Sequence, residues 1–384
     1  MKKRQSHNQP LKVVCLTPHL FIGGAERLMI DIFSRLDRQR FQPQWCCLEG
    51  DSNDSANWRR ELERAGIEVV VLASDQKPKQ KVGRLWRLIV IGWRLWRYLR
   101  KNRPDIVQTQ LFADVYRPIA WLAGVPTIIS VEHNLDYDEP TWTRLAKIIS
   151  RWSVNGIIAV SKAVKQDIIQ RYHYSSNKIE VIYNGVDLDK FFQPIARPSL
   201  VDQPQLIWRL GAIGRLTRQK GFDLLIKALA KLPKAIHWQC SIAGSGPQAG
   251  YLNDLITKFG LNNQIKLVGL QTDVPKFLAS LDLLIVPSRW EGLGLVILEA
   301  GAAGVPVVAS QIDGIVEIIS QRHNGYLVEA GSVNQLTKGL IDVLTAVSPD
   351  ERLTWAINLQ QTVKEKFSII KTVEQYQNYY EQIS

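Results

Sequence analysis

The sequence alternates short apolar runs with longer stretches of helical periodicity, stops at a proline-rich segment, and then begins the same alternation again. The apolar runs of the first half fall at residues 12–17, 44–48, 69–72, 106–110, 127–131, 156–160 and 178–182, and helical patterns lie between them at 25–36, 57–65, 85–100 and 162–172. Successive strands joined by helices must run in the same sense, which predicts parallel sheets covered on both faces. Pro194, Pro198 and Pro204 interrupt the pattern within 192–205, a composition suited to a linker. Strand-like runs then resume at 206–213, 237–243, 265–268, 283–287 and 306–309, with a helix at 221–231. The expected fold class is therefore α/β, with two doubly wound, Rossmann-like domains facing a central cleft. The expected domains are 1–191 and 206–366, joined by the linker 192–205 and followed by a C-terminal helix over 367–384.

A length of 384 residues suits two cores, and 46% hydrophobic with 22% charged residues excludes disorder, collagen and coiled coil. Cys15, Cys46, Cys47 and Cys240 lie in apolar runs without metal-ligand spacing, which points to a reducing, cytosolic setting. Met1 to Arg4 resembles the start of a signal peptide, but Lys12, Pro18 and His19 break the run behind it, and 11–17 reads as a first strand. No uncharged run approaches the roughly 20 residues that span a bilayer.

Four turns carry residues suited to chemistry. Gly23 and Gly24 stand between the first strand and a helix, where backbone approaches a ligand closely; a plain tight turn explains them equally well. Gly244-Ser245-Gly246-Pro247 resembles a dinucleotide fingerprint, but Gly250 falls one residue late and no acid follows at the ribose offset, so a nicotinamide cofactor is not expected. Arg215 and Lys220 flank a loop at the end of the second domain's first strand, placed to hold a diphosphate or to lie solvated. In 287–300, Glu291 and Glu299 bracket Gly292 and Gly294 before an apolar helix. Amides near Gly294, Leu295 and Val296 would face a phosphate, Glu291 can reach a sugar hydroxyl, and Glu299 can accept from a ribose diol or simply favour the helix dipole.

This last block, Pro287-Ser288-x-x-Glu291-Gly292-x-Gly294-Leu295-x-x-x-Glu299-Ala300, resembles glycosyltransferase family 4, of the GT-B fold. The likeness extends through Gly214-Arg215-Leu216 with Lys220-Gly221, Ala243 to Pro247, Tyr183 to Asp187, Glu132-His133-Asn134 and Gly23 to Glu26, in the family's order. The resemblance implies transfer of a sugar from a nucleotide diphosphate donor with retention of configuration, without metal or other cofactor. It implies that Arg215 and Lys220 hold the diphosphate, Glu299 the ribose and Glu291 the donor sugar. By the same resemblance Gly23 and Gly24 close over the diphosphate, His133 stands at the reaction centre, and the final helix, with Tyr376, Tyr379 and Tyr380, crosses back to the first domain. Gly301 and Leu293 depart from the family's usual methionine and phenylalanine, at packing or pocket-wall positions. Asp187-Leu188-Asp189 has Asp-x-Asp form but reads as structural.

The net charge of +12 is uneven: residues 1–200 carry +11 and residues 201–384 carry +1. Ten basic and no acidic residues lie between Lys77 and Arg103. A helix over 81–103 places Arg84, Arg87, Arg94 and Arg97 in a stripe, with Trp86, Trp93 and Trp96 beside it. Packing against a sheet explains part of this helix; the tryptophans and arginines together fit an interfacial membrane helix. The expected partners are thus a nucleotide diphosphate sugar, a glycan or lipid-linked acceptor and an anionic membrane surface, with the protein peripheral on the inner face of the cytoplasmic membrane. A nucleotide-sugar epimerase of GT-B shape and a basic nucleic-acid-binding protein are the competing readings. The helix lacks a recognised nucleic-acid motif, so no nucleic acid is expected as a partner.

Overall fold

A computed structural model describes residues 9–18, 23–50, 55–73, 81–135, 141–195 and 207–384. It divides into two compact units, Met1–Tyr183 with Ile370–Ser384, and Asn184–Ile369. In the first, β1 (Leu11–Thr17), β2 (Phe41–Cys47), β3 (Glu68–Val71), β4 (Ile106–Gln110), β5 (Thr127–Glu132), β6 (Gly156–Ala159) and β7 (Ile179–Val181) form one parallel sheet, ordered 3-2-1-4-5-6-7. The connections carry α1 (Gly24–Ser34), α2 (Ser55–Arg64), α3 (Lys81–Asn102), α4 (Arg117–Leu122), α5 (Thr141–Ile149) and α6 (Lys162–Tyr172). Strand order reverses between β1 and β4, so the loops leaving these strands diverge and open a crevice edge there.

Every residue of β4 and β5 is buried, as strands covered on both faces must be. The polar residues of β4 are therefore hydrogen-bonded inside the core. Gln108 accepts the Tyr380 hydroxyl at 2.6 Å, and Thr109 donates to Asp114 at 2.5 Å. Tyr380 belongs to α15 (Ile369–Ile383), which returns to the first unit. The Tyr380 ring packs edge-on to Phe41, Arg40 pairs with Glu381 at 2.7 Å, and a Cβ on Gly156 would overlap the Tyr379 hydroxyl. The four cysteines are buried and form no disulfide.

In the second unit, β8 (Trp208–Ile213), β9 (Trp238–Ala243), β10 (Ile265–Gly269), β11 (Leu283–Val286), β12 (Val307–Gln311) and β13 (Tyr326–Glu329) form a parallel sheet ordered 10-9-8-11-12-13. Short α7 (Leu188–Phe191) precedes it. Its connections include α8 (Phe222–Leu229), α9 (Ala249–Lys258), α10 (Val274–Ala279), α11 (Leu295–Ala302), α12 (Asp313–Val316) and α13 (Val333–Ile341), and α14 (Pro349–Lys366) follows. Asp187 caps α7, its carboxylate accepting the Asp189 amide at 3.1 Å, a structural use of the Asp-x-Asp.

The division between units falls earlier than the prolines predict. Val186 exchanges backbone hydrogen bonds with Phe367 and Ile369, at 2.8 and 2.9 Å, and Gln193 bonds Ala302 and Gln360. Residues 184–195 thus pack with the second unit, and the rest of the expected linker lies outside the described residues. Prolines mark where regular pairing stops, which need not be where packing changes sides.

Candidate active site

Strand order in the second unit reverses between neighbouring β8 and β11, and the loops that follow these two strands are stitched together. The loop after β8 first meets the loop after β9. A Cβ on Gly244 would overlap the Gly214 carbonyl oxygen, and one on Gly246 would lie 2.5 Å from that of Leu216. Only glycine allows this backbone-to-backbone contact, which Gly214 N–H to Ala243 and Leu216 N–H to Ser245 close at 3.0 and 2.9 Å. Gly244 thereby fixes the loop that carries Arg215 and Lys220.

The loop after β11 meets the same segment from the other side. The Arg289 amide donates to the Gln219 carbonyl at 2.7 Å, and the Gln219 side chain returns a bond to Trp290 at 3.1 Å. The Arg289 guanidinium forks onto Asp223 at 2.7 and 2.8 Å and also reaches the Arg218 carbonyl. Burial works against the Asp223 carboxylate, but Arg289 and Lys227 outweigh it and hold its pKa below the usual carboxylate range. With the loops so fixed, Lys220 and Glu291, 71 residues apart in sequence, form an ion pair at 2.5 Å, and Ser288 donates to the same Glu291 oxygen at 2.8 Å. Arg215 stands exposed on that loop and makes no side-chain bond among the described residues.

Gly294, at φ 89°, is the N-cap of α11 and offers no side chain to it. Leu295 and Val296 open the helix, so their amides have no intrahelical acceptor. Glu299 follows in the second turn, half-buried. A Cβ on Gly314 would come 2.5 Å from the Glu291 carbonyl oxygen, so the start of α12 presses on the Glu291–Gly292 backbone. Arg215, Lys220, Gly244, Glu291, Gly294, Leu295, Val296 and Glu299 therefore belong to three loops and one helix start at the carboxyl edge of a single sheet. Ser288, Arg289 and Gly314 were given no role from sequence. The Ser-x-x-Glu spacing was a signal for Ser288; nothing in the sequence marked the other two.

Gly23, Gly24 and His133 lie in the first unit. Gly23 caps α1, and a Cβ there would overlap the Glu26 carboxylate. His133 follows β5; both ring nitrogens are buried without a hydrogen-bond partner among the described residues. Burial pushes its pKa down to about 4 against the pull of Asp114, so the ring is neutral near pH 7. Close by in the chain, Asp114, Arg117, Glu132 and Lys147 form a buried ionic cluster, Lys147 to Glu132 at 3.2 Å. Burial also opposes ionisation of Asp114, but Arg117 and Lys147 prevail and lower its pKa.

On α3, Ile91, Leu95 and Leu99 face the core, while Trp86, Trp93 and Trp96 are exposed. Arg97 lies over the Trp93 ring at 5.6 Å. Arg94, although exposed, is tethered to the Leu72 carbonyl at 2.6 Å. The Arg84 and Arg87 side chains lie outside the described residues. Among the described residues no helix is long and apolar enough to cross a membrane, and no three His, Cys, Asp or Glu side chains stand together as a metal site.

Residues 208–358 match the family model described as Glycosyl transferases group 1, and residues 22–190 match that of Glycosyltransferase Family 4. Anabaena Alr3699/HepE, solved in complex with UDP and glucose, superposes with a TM-score of 0.82 at 24% identity, over 97% of this chain and all of that one. Two such sheets, with the strand-end loops of the second built as described, define a glycosyltransferase of the GT-B fold. The lipopolysaccharide core biosynthesis glycosyltransferase LpsE of Rhizobium meliloti is 32% identical over 86% of this chain and 88% of its own length. The chain belongs to glycosyltransferase family 4. The UDP-Gal:alpha-D-GlcNAc-diphosphoundecaprenol alpha-1,3-galactosyltransferase of Escherichia coli is 28% identical over 98% of both chains. With several other relatives the match spans only about half to three fifths of their length.

Proposed function

We propose that the protein transfers a sugar, with retention, from a nucleotide diphosphate donor to a glycan or lipid-linked acceptor in surface polysaccharide or glycolipid synthesis. The observation that carries this reading is the Lys220–Glu291 pair at the β8/β11 switch, beside exposed Arg215 and the uncapped start of α11. Arg215, Lys220 and the amides of Leu295 and Val296 offer positive charge and donors to a diphosphate, and Glu299 offers acceptors to a ribose diol. Glu291, held by Lys220 and Ser288, orients the donor sugar through a hydroxyl. The anomeric C–O bond breaks with its electron pair passing to the diphosphate, whose growing charge Arg215 and Lys220 stabilise without a metal. The acceptor oxygen bonds the anomeric carbon from the same face and gives its proton to the departing phosphate oxygen. His133, neutral by burial, can act on a ligand as a hydrogen-bonding group and not as a cation.

The acceptor class draws support from the E. coli relative, whose name gives a diphosphoundecaprenol acceptor. Exposed tryptophans beside arginines on α3 support docking at an anionic membrane, peripheral on its cytoplasmic face. A thermal-shift panel of nucleotide diphosphate sugars, followed by product analysis with and without lipid-linked acceptor, tests the reading. Glu291→Gln and Arg215→Ala should each abolish transfer. Full activity in either overturns the site assignment, and an isomerised donor formed without acceptor makes the enzyme an epimerase.

A further inference from the structure

The membrane reading drawn from sequence concerned α3 alone, yet large apolar side chains are also exposed together on three other elements, α4, α5 and the 3₁₀ turn that follows α5. Trp121 and Leu122, at the end of α4, are 51% and 63% exposed; Ile149, ending α5, and Trp152, in the 3₁₀ turn Ser150–Ser153, are 71% and 54% exposed. The Trp121 and Trp152 rings meet edge to face with centroids 4.7 Å apart. Two indoles that stack on each other while each remains half in solvent form a continuous apolar surface, which a monomer rarely leaves bare without use. The α4 helix also packs on α3: a Cβ on Gly92 of α3 would come 2.8 Å from Ile119 Cδ1. The element that carries Trp121 and Leu122 is therefore packed directly against α3.

Charge decides what this surface fits. From residue 81 to residue 153 the described acidic residues are Asp105, Asp114 and Glu132; Asp136, Asp138 and Glu139 lie outside the described residues. Asp114 and Glu132 are buried in the ionic cluster, and Asp105 is half-buried, accepting the Lys12 amide at 3.0 Å. Exposed basic residues border the patch instead, Arg144 and Arg151 on the α5 side and Arg97 and Arg100 on α3. Arg100 lies over the Trp96 ring at 5.9 Å. A surface that exposes indoles and guanidiniums, with no exposed acid among its described residues, matches an anionic bilayer, whose interface takes tryptophan and whose headgroups take arginine.

We propose that α4 and the Ser150–Ser153 turn form a second membrane footing, with the Trp121–Trp152 pair as its anchor, so that the helix layer of the first unit rests on anionic lipid and not the edge of α3 alone. This rests on the reading that α3 contacts a membrane, and the test separates the two. The full chain is floated with phosphatidylcholine vesicles and with vesicles mixing phosphatidylcholine and phosphatidylglycerol, as wild type, as Trp121→Ser with Trp152→Ser, and as Trp93→Ser with Trp96→Ser. The expected result is wild-type binding to the phosphatidylglycerol vesicles alone, weakened about tenfold or more in each double variant, as two indoles leaving an interface should do. Leu122→Glu with Ile149→Glu, on the same surface, should weaken binding as much, and circular dichroism checks that each variant is folded. If the Trp121/Trp152 variant floats like wild type while the α3 variant does not, the second footing is wrong and α3 stands alone. If wild type fails to float, both readings fall. If the Trp121/Trp152 variant instead turns a dimer into a monomer by light scattering, with flotation unchanged, the surface joins two copies and the proposal is overturned.

Discussion

Replacing Lys220 by alanine removes one half of an ion pair whose side chains retain 20% and 7% exposure, and leaves Glu291 with the Ser288 hydroxyl as its donor. Breaking a buried pair from one side costs about 3–5 kcal/mol, and the partial exposure of Lys220 places this case near about 3 kcal/mol. In a unit of this size each kcal/mol lowers the melting temperature by about 2–4 °C, so a fall of roughly 6–12 °C is expected. Glu291→Gln is nearly isosteric and keeps an acceptor for both donors, so it should cost about 1–2 kcal/mol. In the double variant the uncompensated charge is gone. Its loss should therefore fall short of the sum of the singles by about 1–3 kcal/mol. Scanning calorimetry of the two single variants and the double gives the coupling directly, and transfer assays on the same preparations should show both singles inactive. Additivity to within about 0.5 kcal/mol would mean that the pair does not form in solution, and the arrangement proposed for the donor site would lose its anchor.

His133 has a folded pKa of about 4, below its ordinary value of 6.5. Unfolding therefore takes up a proton between these values, and the stability it contributes, complete above about 6.5, is lost as pH falls toward about 4, by up to about 3 kcal/mol. An NMR titration of the ring with a midpoint near 6.5 would show that the ring is solvated. Gly244→Ala should disrupt the β8 and β9 loop seam and abolish donor-induced thermal stabilisation, because a Cβ there meets backbone that has no room to move; an unaltered thermal shift would refute that seam. Gly301→Met places its Cβ 2.8 Å from both Leu359 and Val363, so it should destabilise by about 1–3 kcal/mol while the KM for donor is unchanged. A KM change without loss of stability would return Gly301 to the pocket wall. Tyr380→Phe leaves Gln108 Oε1 without its donor inside the first unit and should cost about 1–2 kcal/mol in urea unfolding.

Most strands of both sheets were legible because a strand covered on both faces is largely apolar or β-branched, and a stretch of helical periodicity separates it from the next. β13 was missed: four residues behind Asn324-Gly325 carry too little pattern, and only pairing with β12 makes them a strand. At the candidate site, the glycines and the two glutamates could be read from local turn chemistry. The Lys220–Glu291 contact and the Arg289–Asp223 fork could not, since they join segments more than 60 residues apart that meet only when β8 and β11 pair. Gly301 looked like a departure in a motif; its neighbours in α14 lie nearly 60 residues downstream and make it a close helix contact. The Trp121–Trp152 surface was also hidden, because each tryptophan alone is ordinary and their meeting depends on two separate crossovers.

The return of α15 to the first unit has a consequence for how the protein is made. Gln108 waits 272 residues for the tyrosine that covers it. During translation the whole second unit is synthesised before the sheet of the first receives its last helix, so the face around Phe41 and Gln108 stays uncovered until then. The chain also passes between the units twice, once on either side of the second. A single proteolytic cut in the segment after residue 195 would therefore not free the first unit, because α15 would still hold the severed halves together.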